Sequence, residues 1–171
     1  MRSLSKYNDN FNYILTVIDV FSRYAYALPI KNKTGDYITK AFQQLFKAQT
    51  PQLLQTDKGT EFINKKTQSL FEHHNIKWFA TENLTKAQMV ERFNRTLKGR
   101  MYKYFTANQT KRWVDVLQDL VHNYNTSYHR SIKMTPKEAL QDPYEVHENA
   151  KQPERRTTPK FKPGDYVRIS K

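Results

Sequence analysis

The stretch Tyr13 to Asp19 (YILTVID) is an almost unbroken apolar run, the pattern of a strand buried on both faces. Tyr24 to Ile30 (YAYALPI) follows after Ser22-Arg23, and Pro29 marks its end, so the two segments are expected to form a hairpin. Gly35 opens a helical stretch in which Ile38, Ala41, Phe42, Leu45 and Phe46 share one face. Gln52 to Asp57 (QLLQTD) reads as a short strand ending in the turn Asp57-Lys58-Gly59. A helix with Ile63, Thr67, Leu70 and Phe71 on one side comes next, and Ile76 to Thr81 (IKWFAT) is a further strand.

From about Lys86 a long helix is predicted to run towards Ala107, with Val90, Phe93, Leu97, Met101 and Tyr104 as its buried stripe. A following helix carries Trp113, Leu117, Leu120, Tyr124 and Tyr128. Thr135-Pro136-Lys137-Glu138 has the N-cap, first-turn proline and acidic residue of a short helix start. Strands alternating with helices after a hairpin predict an α/β chain, a mixed sheet flanked by helices, over residues 1–142. The pattern stops over 143–160, which is charged and contains prolines and reads as a linker. Residues 161–171 (FKPGDYVRIS and the final Lys171) read as the first strand of a small β-module.

Charge changes the picture most. Twenty-nine Lys and Arg against 16 Asp and Glu give a formal net charge of +13. So positive a field attracts polyanions and makes nucleic acid the first partner to test. The chain has no cysteine, which excludes disulfides and Cys-ligated zinc. It also has no apolar run near the roughly 20 residues of a membrane span. His73-His74 lacks two further ligands at zinc spacing. Lys111-Arg112 and Arg155-Arg156 suit non-specific phosphate contacts, whereas Trp78 and Trp113 read as packing residues. Tyr102, Tyr104 and Phe105, interleaved with Lys103, have the composition of a base-stacking surface, though Tyr104 is expected in the core.

Two carboxylates sit where chemistry can use them. Asp57 ends a strand, the usual place for ligands in open α/β sheets, and Glu91 heads a helix whose next residues on the same side are Arg95 and Lys98. Carboxylates converging from different elements supply the hard oxygens that Mg²⁺ requires. On spacing alone, the better reading is Asp57 as a turn cap and Glu91 as a surface helix residue.

Five segments along the chain carry a family resemblance. TDKGTEF (Thr56 to Phe62) resembles the second-aspartate motif of integrases, and MVERFNRTLK (Met89 to Lys98) is similar to their glutamate helix. YILTVIDVFSRYAYALPIKNKTG resembles the hairpin of retroviral and retrotransposon-type, Maverick/Polinton-like integrases. The segment WVDVLQDLVHNYNTSYHRSIKMTPKEAL is similar to the region that follows in them, and FKPGDYVRIS to the entry of their C-terminal SH3- or chromo-like module.

The resemblance implies a ribonuclease-H-like catalytic core acting on DNA ends and target DNA by 3′-end processing and strand transfer, with two Mg²⁺ or Mn²⁺ ions at a D,D,E triad. Asp57 and Glu91 correspond to its second and third members, while Asn94, Arg95 and Lys98 correspond to DNA-contacting positions. Asp19 completes a D,D,E reading by eye. In the family, however, the aspartate of V-I-D-x-F-S-R-Y lies on the second strand and is not the ligand. The strand bearing the first aspartate is expected upstream of Ser3 to Asp9 and has no counterpart here, so the core is read as N-terminally truncated. The resemblance further implies a homo-oligomer and nuclear residence. A DNA-binding remnant without catalysis is the alternative reading, and a ribonuclease-H-like nuclease outside transposition is a third.

Overall fold

The computed structural model describes residues 2–80 and 88–150, together with Gly164. A 3-10 turn, Arg2–Tyr7, leads into the hairpin β1 (Tyr13–Ile18) and β2 (Ala25–Ile30), paired antiparallel with Leu15 opposite Leu28. Then come α1 (Gly35–Ala48), β3 (Leu53–Thr56), α2 (Thr60–Ile63), α3 (Lys65–His73) and β4 (Lys77–Ala80), with β3 and β4 parallel. Four helices follow: α4 (Gln88–Ala107), α5 (Leu117–Asn125), α6 (Pro136–Gln141) and α7 (Pro143–Ala150). The described strands form two separate pairs with no ladder between them, where the sequence predicts one mixed sheet.

Two apolar clusters hold these elements. Phe42, Phe46 and Phe71 pack ring against ring between α1, α3 and the β3–β4 pair, with Leu54, Leu70 and Ile76 around them. Every predicted contact residue of α1 is buried there. On the other face of the hairpin, Phe93, Leu97 and Met101 of α4 meet Ala25, Ala27, Trp113, Leu117 and Val121. Alanines at 25 and 27 let α5 lie close against β2. Val90 and Tyr104 are only half-buried, so the α4 stripe is narrower than its periodicity predicts.

Local chemistry explains where elements differ from the sequence pattern. The helix expected across residues 60–73 is broken at Asn64, whose side chain accepts from the Thr67 amide at 3.1 Å and caps α3. The break turns Ile63 outwards, 48% exposed, and Phe62 packs instead. Tyr128 lies beyond the end of α5 and is exposed, while Trp113 precedes α5 and is fully buried. Residues 143–150, the first part of the segment read as a linker, are helical. The Asp142 carboxylate accepts from the Tyr144 amide at 3.1 Å, Pro143 starts the helix, and Val146 packs with Ile132, Met134 and Ala139. The capping box of Thr135 and Glu138 is formed as its sequence predicts. Residues 151–160 and the β-module expected over 161–171 lie outside the described residues, apart from Gly164.

Pro29 lies inside β2 rather than ending it. Asp19 donates its amide to the Tyr24 carbonyl at 2.8 Å, so Tyr24, Tyr26 and Leu28 point their backbone groups towards β1 and Ala25, Ala27 and Pro29 point theirs outwards. A proline there removes no ladder hydrogen bond. The same outer edge is closed by α5. Asn125 Oδ1 accepts the Ala25 amide and its Nδ2 donates to the Ala25 carbonyl, both at 2.9 Å, and Gln118 Nε2 donates to the Ala27 carbonyl at 2.8 Å. A side-chain amide thus completes the pairing that another strand would otherwise take.

Candidate active site and nucleic-acid interface

Asp57 is exposed and follows directly on β3. Its loop is fixed from below. The Trp78 indole donates to Thr56 Oγ1 at 3.0 Å, and that hydroxyl in turn donates to the Asp57 carbonyl at 2.8 Å. Trp78, read from the sequence as a packing residue, therefore also anchors the residue beside the candidate carboxylate. Asp57 Oδ1 accepts the Gly59 amide at 3.2 Å. A Cβ on Gly59 would lie 2.6 Å from Glu61 Oε2 and 3.1 Å from Asp57 Oδ1, so the glycine lets two carboxylates approach the same point. Glu61 is mostly buried and holds Lys33 Nζ at 3.2 Å, an arrangement that sequence patterns did not single out.

Glu91 is exposed in the first turn of α4. Asn94, Arg95 and Lys98 lie within about 60° of it around the helix and are exposed as well. None of the four side chains makes a hydrogen bond or ion pair with another described residue. The hairpin tip reaches the same end of α4, because the Arg23 guanidinium contacts both the Val20 carbonyl and Met89 Sδ. Burial holds the Arg23 pKa below its ordinary value.

Asp19 is placed differently. Its carboxylate accepts the Ser22 amide at 3.0 Å, the Phe21 amide at 3.3 Å and the Ser22 hydroxyl, so it closes the β1–β2 turn. Arg23 sits in that turn at φ 64°. Arg112 bridges Asp115 and Asp9, which raise its pKa and engage its guanidinium within the fold. Lys111 is exposed, with its ammonium 5.6 Å from the Tyr7 ring centroid. His73 and His74 stack edge to face, and His74 also meets Phe46. Among the described residues, no group of three His, Asp or Glu converges as a metal site.

Residues 4–83 match the family model of the integrase core domain. By structure, the chain superposes on the catalytic core of human T-lymphotropic virus 2 integrase solved with magnesium, at a TM-score of 0.65 and 20% identity, covering 73% of this chain and 82% of that one. The catalytic core of bovine immunodeficiency virus integrase gives 0.66 and 21%, covering 79% and 89%. The fold is that of an integrase catalytic core.

Sequence relatives extend the likeness along the chain. A transposon-derived protein of Caenorhabditis elegans is 34% identical over 172 residues, covering 99% of this chain and 59% of that protein. The Pol polyprotein of radiation murine leukemia virus is 32% identical over 111 residues, covering 63% of this chain and 19% of the polyprotein. The chain thus spans under two thirds of either relative. The matched segment 4–83 contains Asp19 and Asp57, while Glu91, Asn94, Arg95 and Lys98 lie beyond it on α4.

Proposed function

We propose that the chain serves DNA integration as the core of a metal-dependent polynucleotidyl transferase, binding transposon ends and target DNA. The observation that carries this reading is the pair of exposed carboxylates at two element ends, Asp57 after β3 and Glu91 at the head of α4, with exposed basic residues continuing from Glu91. Asp57 and Glu91 are hard oxygen donors and fit Mg²⁺ or Mn²⁺. Asp57 retains lone pairs beyond its single bond to Gly59, so its carboxylate remains available to an ion. Bound there, a metal ion would activate a nucleophile and stabilise the leaving oxygen of a phosphodiester.

The protein's own residues supply position and charge. Arg95 and Lys98 neutralise backbone phosphates, and Asn94 offers an amide beside them. Asp57 and Glu91 would hold the reacting end through the ion rather than by direct contact. Asp19, whose two carboxylate oxygens are both engaged in closing its turn, is left out of the ligand set. A second reading is a DNA-binding remnant without chemistry, since among the described residues no three His, Asp or Glu group together as a metal site. As the HTLV-2 core has been solved in dimeric and trimeric forms, we include homo-oligomer formation in the proposal. Nuclear residence follows from the proposed substrate.

The test is strand transfer by the purified chain on labelled DNA ends in Mn²⁺, beside Asp57→Asn and Glu91→Gln. Joined products that vanish in both variants are expected. Products of equal yield in both variants would refute the metal assignment, and DNA binding without products would select the remnant reading.

A further inference from the structure

The helix face that carries Glu91 does not end at Lys98. Tyr102 and Phe105 continue it, both within about 60° of Glu91 around α4, and Gln109 follows in the turn beyond the helix end. They form one wall of an open groove of about 480 Å³, and the other walls are Ser3 and Leu4 of the N-terminal turn and the loop at Thr110 and Lys111. That volume falls in the range of about 300–1,000 Å³ usual for small-ligand sites.

Three features define what fits. The groove lining contains no Asp or Glu, and its two cations, Lys98 and Lys111, make no ion pair with any described carboxylate. Tyr102 is 61% exposed, and its ring meets that of Phe105 edge to face at 5.9 Å and 84°. Phe105 itself packs against the core and so fixes the Tyr102 ring.

The walls are also held together. Asn8 is fully buried; its Nδ2 donates to the Leu4 and Lys111 carbonyls at 2.8 and 2.9 Å, and its Oδ1 accepts the Trp113 and Val114 amides at 2.6 and 3.1 Å. Arg112 adds a bridge to Asp9 across the same junction. The groove is therefore preformed by tertiary structure rather than left to a single mobile side chain.

We propose that this groove takes an unpaired base of a DNA strand, stacked on Tyr102, with Lys98 and Lys111 against its flanking phosphates. An exposed aromatic ring between lysines suits a flat π-face carrying anions, and a base within an intact duplex cannot present that face. The inference rests on the reading of Asp57 and Glu91 as the reacting centre. From Glu91 to Tyr102 the helix rises about 16 Å, roughly five stacked nucleotides. The captured base is accordingly about five positions from the strand end held at Glu91.

The experiment uses the full chain and DNA duplexes that are either blunt or carry a single-stranded 3′ overhang. 5-Iodouracil is placed singly at each of the last ten or so positions, irradiated, and the adduct located by mass spectrometry. The expected adduct is on Tyr102, strongest about five nucleotides from the end. In anisotropy titrations Tyr102→Ala should weaken overhang binding about ten-fold, the size of one base–aromatic stack, and leave blunt-duplex binding within about two-fold, with Tyr102→Phe close to the parent. If both DNAs bind but adducts fall elsewhere, or Tyr102→Ala affects both equally or neither, the groove assignment is overturned and the DNA-binding reading stands. If neither DNA binds, both fall. Cross-linking on the parent chain does not depend on how any variant folds.

Discussion

The outer edge of β2 and the outward face of α4 are both polar, and they treat their polar groups in opposite ways. Along β2, Asn125 and Gln118 engage the backbone groups of Ala25 and Ala27, and Pro29 has no amide to satisfy. Along α4, Glu91, Asn94, Arg95 and Lys98 stand exposed without partners among the described residues. The acidic residues divide likewise. The Asp9 and Asp19 carboxylates are held by Arg112 and by a turn, whereas Asp57 makes one hydrogen bond and Glu91 makes none among the described residues. A polar group already satisfied inside the fold contributes to stability. One left exposed beside others of matching chemistry is available to a ligand. Substitutions on the two sides should therefore affect different properties.

The largest effect is expected at Asn8. Replacing it with Ala strands two amides and two carbonyls at a buried junction, which should cost about 3 kcal/mol or more in urea unfolding. A loss under about 1 kcal/mol would show that water satisfies those groups. Asn125→Ala comes next, at about 2 kcal/mol, since it unpairs both polar groups of the fully buried Ala25. It also opens the β2 edge, so concentration-dependent association by light scattering is expected with it.

Gly59→Ala should cost about 1 kcal/mol, because the Glu61 carboxylate has to move away from Lys33 to make room. Its effect on Mn²⁺-dependent activity should exceed its effect on melting, as the new methyl also crowds Asp57 Oδ1. The smallest effect is a pH dependence. Burial first, then Arg23 and Arg92, lower the His129 pKa below its ordinary 6.5. The unfolded chain then binds this proton more readily, so stability is lost as pH falls through about 6.5 towards the folded-state value. His129→Gln should flatten that part of the stability–pH curve, and an unchanged slope would assign it to other groups.

Much of the fold was legible because periodicity reports burial. The α1 face follows from it residue by residue, and the hairpin in its two strands and their order. What it could not report was tertiary satisfaction of polar groups. Asn8 and Asn125 are ordinary polar letters in sequence, and only long-range geometry makes them structural. Ile63 was misplaced because a cap at Asn64 restarts the helix, and the helicity of 143–150 was hidden by a proline that starts α7 instead of breaking it. At the candidate site, motif spelling located Asp57 and Glu91, yet it did not reveal Glu61 beside Gly59 or the Trp78 anchor under Thr56.

The most direct test of this contrast measures two quantities on one protein, the Arg95→Ala, Lys98→Ala double variant. DNA affinity is titrated across a salt series, and unfolding is followed in urea. With both side chains exposed and without partners among the described residues, stability should stay within about 0.5 kcal/mol of the parent, while affinity drops at least about ten-fold and the salt slope shrinks by about two. Unchanged affinity and slope, or a loss of stability that accounts for the weaker binding, would contradict the assignment of the α4 face to DNA.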